Sequence, residues 1–130
     1  MTVLGIDHVV LRCRDLSAML TFYTTVLGCQ LERSVEEIGL YQLRAGNSLI
    51  DIVPIGRPLG GELEPQQPYH NVDHFCLEIE PTDLSNLCEK LEAAGLSPSS
   101  PARRYGASGF GDSVYIQDPQ GNTVELKPST

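Results

Sequence analysis

Two histidines and two carboxylates stand at matched places in this chain of 130 residues, and together they have the make-up of a divalent-metal site. Ile6-Asp7-His8-Val9-Val10-Leu11 and Val72-Asp73-His74-Phe75-Cys76-Leu77 are nearly one phrase written twice. Ile50-Asp51-Ile52-Val53-Pro54 likewise matches Val124-Glu125-Leu126-Lys127-Pro128. Side chains alternate along a strand, so His8 shares a face with Ile6, Val10 and Arg12, and His74 with Val72, Cys76 and Glu78. Asp51 lies with Leu49 and Val53, and Glu125 with Thr123 and Lys127. The four groups converge if each half curls its sheet and the halves pair pseudo-symmetrically. Two imidazoles and two carboxylates are harder than a thiolate set and suit Ni, Co, Mn, Fe or Zn, with water completing five or six positions. A lone buried histidine more often only packs, its ring nitrogens hydrogen-bonded. Matched acids resist that reading, because an unpartnered buried carboxylate costs several kcal/mol.

The elements that must position these groups also repeat in order. After the first histidine strand, Asp15 caps a helix with Leu16, Leu20, Tyr23 and Leu27 at helical spacing, closed by Gly28. After the second, Thr82 or Asp83 caps a helix carrying Leu84, Leu87, Leu91 and Ala94, closed by Gly95. Strand-like stretches follow at 30–37, 39–45 and 48–54, and again at 98–102, 113–118 and 122–127. The turns Ala45-Gly46-Asn47 and Asp118-Pro119-Gln120-Gly121-Asn122 precede the last strand of each half. The reading is an α+β fold of two tandem βαβββ modules forming a cupped mixed sheet around a metal site. The first module covers about residues 3–55 and the second 72–128, within one domain of residues 1–130. Residues 56–71, rich in proline and glycine and without a usable period, link them. Tyr69 and His70 lack counterparts in the other half, and His70 reads as an exposed linker residue.

A net charge of -8 repels phosphate backbones and anionic membranes, which excludes nucleic acid and membrane partners. The start MTVLGIDHVV has no basic region ahead of an apolar core, and no window reaches the roughly 18 apolar residues of a span, so a cytoplasmic protein is expected. Cys13, Cys29, Cys76 and Cys88 are widely spaced without a CxxC pair and read as buried structural thiols.

Taken together, His8 in IDHVVLRCRDL, the FYTTVLG stretch ending at Gly28, His74 in VDHFCLEI and Tyr115 to Leu126 in YIQDPQGNTVEL resemble the vicinal oxygen chelate superfamily along essentially the whole chain. That superfamily includes glyoxalase I, fosfomycin thiol transferases, methylmalonyl-CoA epimerase and extradiol dioxygenases. The resemblance implies paired βαβββ modules, a homodimer, a small-molecule substrate, and metal ligation by His8, His74 and Glu125. Asp51 stands where glyoxalase I has Glu or Gln, and being one methylene shorter it reaches the metal directly or through water.

A glyoxalase I-like lyase or isomerase is the first reading: a metal-stabilised enediolate, Glu125 as base, Asp51 as its counterpart, and glutathione as a cosubstrate. Arg12, four residues after His8, resembles the glyoxalase I arginine that contacts glutathione; its other reading is a pair with Glu78. Ile52 to Ile55 lack the polar thiol-recognition residue often found there. The rival is a fosfomycin-type thiol transferase. Residues 103–122 resemble its anion-binding stretch, with Arg103, Arg104, Ser108, Ser113 and Tyr115 around a phosphonate or carboxylate and Gly106, Gly109 and Gly111 letting a polar loop close. Against it, Val10 stands where those enzymes have threonine. A third reading is a sequestering protein of the bleomycin-resistance type, and a fourth a ring-cleaving dioxygenase.

Overall fold

Parallel pairing of a histidine strand with a carboxylate strand organises both halves of the computed structural model, which describes residues 1–62, 72 and 74–130. Tyr69, His70 and Asp73 lie outside the described residues. The chain divides into two compact units, Met1–Gln66 and Gln67–Thr130, so the boundary falls inside the linker expected from the sequence.

In the first unit, β1 (His8–Cys13), β2 (Gln30–Val35), β3 (Leu40–Ala45) and β4 (Ser48–Pro54) form a mixed sheet in the order β1-β4-β3-β2. In the second, β5 (Phe75–Ile79), β6 (Ala102–Gly106), β7 (Gly109–Gln117) and β8 (Thr123–Pro128) repeat it as β5-β8-β7-β6. Helices α1 (Leu16–Thr21) and α2 (Leu84–Ala93) complete two βαβββ modules. The apolar alternation of β4 and β8 reads continuous because both faces are covered: Ile50, Ile52 and Val53 are buried in one unit, Val124 and Leu126 in the other.

The helix caps follow the sequence. Asp15 accepts from Ala18 N at 3.0 Å, and Asp83 accepts from Ser85 N at 3.1 Å. The first helix, however, does not run on as α to Leu27. Phe22–Val26 is a π segment. Thr24 Oγ1 bonds the Leu20 carbonyl at 2.6 Å, and Leu27 N bonds Phe22 O five residues back at 3.0 Å. Three β-branched residues in a row, Thr24, Thr25 and Val26, and that side-chain bond favour the wider turn. Its consequence is that Phe22 and Tyr23 both enter the core.

Three strand expectations change. The stretch 30–37 ends at Val35, where Glu36–Ile38 forms a single 3₁₀ turn closed by Gly39 at φ 69°. Residues 98–102 are not a strand before Ala102, because Pro98 and Pro101 have no N–H to give; Ser99 is instead bracketed to Tyr115, its N donating to Tyr115 O at 2.9 Å and its Oγ accepting from Tyr115 N at 2.8 Å. The glycine-rich loop is a β6–β7 hairpin, with Gly106 opposite Gly109 across the two residues Ala107 and Ser108. Two of its glycines make room for a side chain: a Cβ on Gly106 would lie 2.9 Å from Lys127 Nζ, and one on Gly111 3.0 Å from Lys127 Cε. Buried Lys127 crosses this face to donate to the Gly109 carbonyl.

The cysteines also differ from expectation. All four are free thiols, yet only Cys13 is buried and Cys76 is exposed, since Cys76 lies on the polar face that bears His74. Truncation of the fully buried Leu43 to alanine is expected to cost about 2–5 kcal/mol in urea unfolding; a loss under 1 kcal/mol would mean that the first unit's core is not centred on β3.

Candidate metal centre

Register sets each histidine at the same offset from its carboxylate. In the first unit Val10 lies opposite Asp51, two residues beyond His8. In the second Cys76 lies opposite Glu125, two residues beyond His74. Histidine and carboxylate therefore share a face in both sheets.

In the second unit the pair is in contact: His74 Nε2 is 3.2 Å from Glu125 Oε2. Ser113, fully buried on β7, donates from Oγ to Glu125 Oε1 at 2.5 Å. Arg104 on β6 donates from Nη1 to Ser113 Oγ and Ser113 O, both at 2.9 Å, and its guanidinium lies 4.3 Å from the centre of the Tyr115 ring. Tyr115, opposite Glu125 in register, meets His74 edge-on at 5.1 Å. Ser108 turns to Glu78, donating at 2.9 Å. A recess of about 430 Å³ lined by Leu96, Ser97, Ser99, Tyr115, Gln117 and Thr123 shares Tyr115 with this row but not His74 or Glu125.

The first unit is built differently from the same plan. His8 Nδ1 is 2.7 Å from Asp7 Oδ2. Asp51 accepts from Gln42 Nε2 at 3.2 and 3.3 Å, and Gln42 Oε1 accepts from Arg33 Nη1 at 3.0 Å. Arg12, at the far end of β1, donates from Nε to the Gly60 carbonyl at 2.8 Å.

The model of the Glyoxalase/Bleomycin resistance protein/Dioxygenase superfamily matches residues 5–126, which takes in all four of these groups. The chain belongs to that superfamily. Among members of the superfamily, the virulence protein STM3117 of Salmonella typhimurium is 29% identical over 93% of this chain and 81% of its own. Its crystal structure superposes with a TM-score of 0.80, covering 100% of both chains. The metallothiol transferase FosB of Bacillus licheniformis is 24% identical over 95% of this chain and 75% of its own, and the lactoylglutathione lyase of Pseudomonas aeruginosa 29% over 92% and 80%. These relatives carry names of different chemistries, so membership of the superfamily fixes the fold and leaves the reaction to the residues. No helix among the described residues is long and apolar enough to cross a membrane.

Superfamily members are commonly metal-dependent, and the donor set can be tested against that. Asp51 is 4% exposed, yet Gln42's single amide group serves both its oxygens; Glu125 is 7% exposed. Among the described residues every buried side-chain oxygen has a hydrogen-bond partner, so hydrogen bonds already hold these acids; each carboxylate still keeps lone pairs that fit a cation. No three His, Cys, Asp or Glu side chains among the described residues cluster as a ready-made site; each unit carries one of the two histidines and one of the two carboxylates that the sequence singled out. With Nδ1 engaged by Asp7, His8 offers Nε2 as the ligating nitrogen.

The Asp7 hydrogen bond holds the His8 imidazole above its ordinary 6.5; desolvation opposes this and the Asp51 charge adds to it. Although Cys76 is exposed as a residue, its thiol is partly desolvated, and that together with the neighbouring Glu125 carboxylate pushes it up to about 11, so it stays protonated near neutral pH. Because the folded-state value of His8 is raised, the stability it adds is complete below the ordinary imidazole range and is lost as pH rises through the raised value. In metal-free protein His8 is expected to titrate above 6.5 by NMR and to fall toward 6.5 in Asp7→Asn; an unchanged titration in that variant would remove Asp7 as the cause.

Proposed function

We propose that the protein is a metal-dependent glyoxalase I-like lyase or isomerase acting on a small oxygen-rich anion, with His8, Asp51, His74 and Glu125 holding one divalent ion of Ni, Co, Zn, Mn or Fe. The observation that carries this is the equal register offset of histidine from carboxylate in two units whose intervening sequences differ. The metal, when bound, supplies Lewis-acid stabilisation of negative charge developing on adjacent substrate oxygens.

The protein's own groups supply the proton chemistry. Glu125, held by Ser113 on one oxygen and beside His74 on the other, takes the carbon-bound proton and returns it to the next carbon. Asp51 is its counterpart. Tyr115, Arg104 and Ser108 line the substrate side, with the buried Ser113 behind them holding Glu125; Arg104 bonds Ala102 and Ser113 through Nη1, so its other N–H groups can meet an anionic substrate. Arg12 serves a thiol cosubstrate such as glutathione. The two units make one domain, and the protein works as a cytoplasmic homodimer.

The Arg104–Ser113–Tyr115 cluster and the likeness to FosB favour a second reading, thiol addition to a phosphonate. Protein loaded separately with each metal should convert the hemithioacetal of methylglyoxal and glutathione to the thioester, and Glu125→Gln should lower kcat by about 10²–10⁴-fold. Consumption of fosfomycin and thiol instead would establish the second reading. Tight binding of either without product would leave a sequestering protein.

A further inference from the structure

Both carboxylates end a relay that starts from an arginine on the outermost strand. In the first unit it runs Arg33 on β2, Gln42 on β3, Asp51 on β4, each directly opposite the next in register. In the second it runs Arg104 on β6, Ser113 on β7, Glu125 on β8. The middle residues are chemically unlike, an amide and a hydroxyl, yet each accepts from the arginine and donates to the acid. Chance packing does not explain the same polarity of bonds across two sheets.

We infer that Gln42 and Ser113 are positioning residues for the two metal-binding carboxylates, each oriented by its arginine; the inference rests on the metal-centre reading above. An arginine in direct contact would fork onto both carboxylate oxygens and compete with a divalent cation for them. A neutral intermediary fixes the carboxylate while leaving lone pairs outward. The arginine fixes the intermediary in turn. A guanidinium donates only, so Arg33 selects the Gln42 rotamer with Oε1 toward itself and the NH₂ toward Asp51. Without Arg33 the amide is free to flip and set Oε1 against the carboxylate. The bonds polarise one another along the row, and the buried end gains most.

The test is Co²⁺ titration of the whole chain against a chromophoric chelator, with the melting midpoint of the metal-free protein measured alongside. Gln42→Ala is expected to weaken Co²⁺ binding by about 10–100-fold. Arg33→Ala, at an exposed position that leaves the core intact, gives a smaller loss that Arg33→Lys recovers. On an Asp51→Asn background, Gln42→Ala adds little, because both act through one carboxylate. Wild-type affinity in Gln42→Ala and Arg33→Ala, or losses at Gln42 and Asp51 that simply add, overturns the relay while leaving the metal centre standing. A wild-type protein that takes up no Co²⁺ overturns the metal-centre reading and the relay with it.

Discussion

A carboxylate held away from water must be given hydrogen bonds or a cation, and that requirement falls at one point on the strand beside the histidine in each half of this chain. Asp51 and Glu125 both lie on the inner strand of a four-stranded sheet, beside a histidine strand paired in parallel. The rest of each module is arranged around that pair. The helix makes the parallel crossover possible. The antiparallel strands beyond bring the polar groups that hold the acid, and the opposite face of the carboxylate strand carries core residues, Ile50 and Ile52 in one half and Val124 and Leu126 in the other.

The two halves meet the requirement with different residues. A glutamine bridges arginine to Asp51, and a serine bridges arginine to Glu125, one methylene longer. In the first half a neighbouring aspartate engages the histidine, while in the second the histidine leans directly on the acid. The polarity of the bonds is the same in both halves, though the bridging residues differ. One half thus holds a carboxylate already in contact with its imidazole, and the other a carboxylate braced by an amide.

Much of this was legible in the sequence, for reasons specific to particular residues. The IDH and VDH phrases and the acids ahead of Pro54 and Pro128 fix order and face, because period-2 alternation leaves little freedom once one side is buried. The caps at Asp15 and Asp83 are local chemistry and came through. The π segment did not, since Leu16, Leu20, Tyr23 and Leu27 fit an α period and the wider turn shows itself in the backbone bond from Leu27 N to Phe22 O, five residues back. The hairpin at Gly106 to Gly109 was read as a loop because its glycines answer to Lys127, twenty-one residues beyond Gly106, and not to their neighbours. Gln42 and Arg33 carried no signal: their roles exist only in cross-strand register, and their counterparts are a serine and an arginine at unmatched sequence positions.

The central claim is that two half-sites serve one ion. Metal content of protein purified without tags or chelators, measured by plasma mass spectrometry for wild type, His8→Ala and His74→Ala, tests it most directly. The account requires about one metal per chain in the wild type and loss in both variants, since removing one of four ligands from either half breaks the shared site. Retention of the metal in either variant, or no metal in the wild type after reconstitution with each ion, would contradict it.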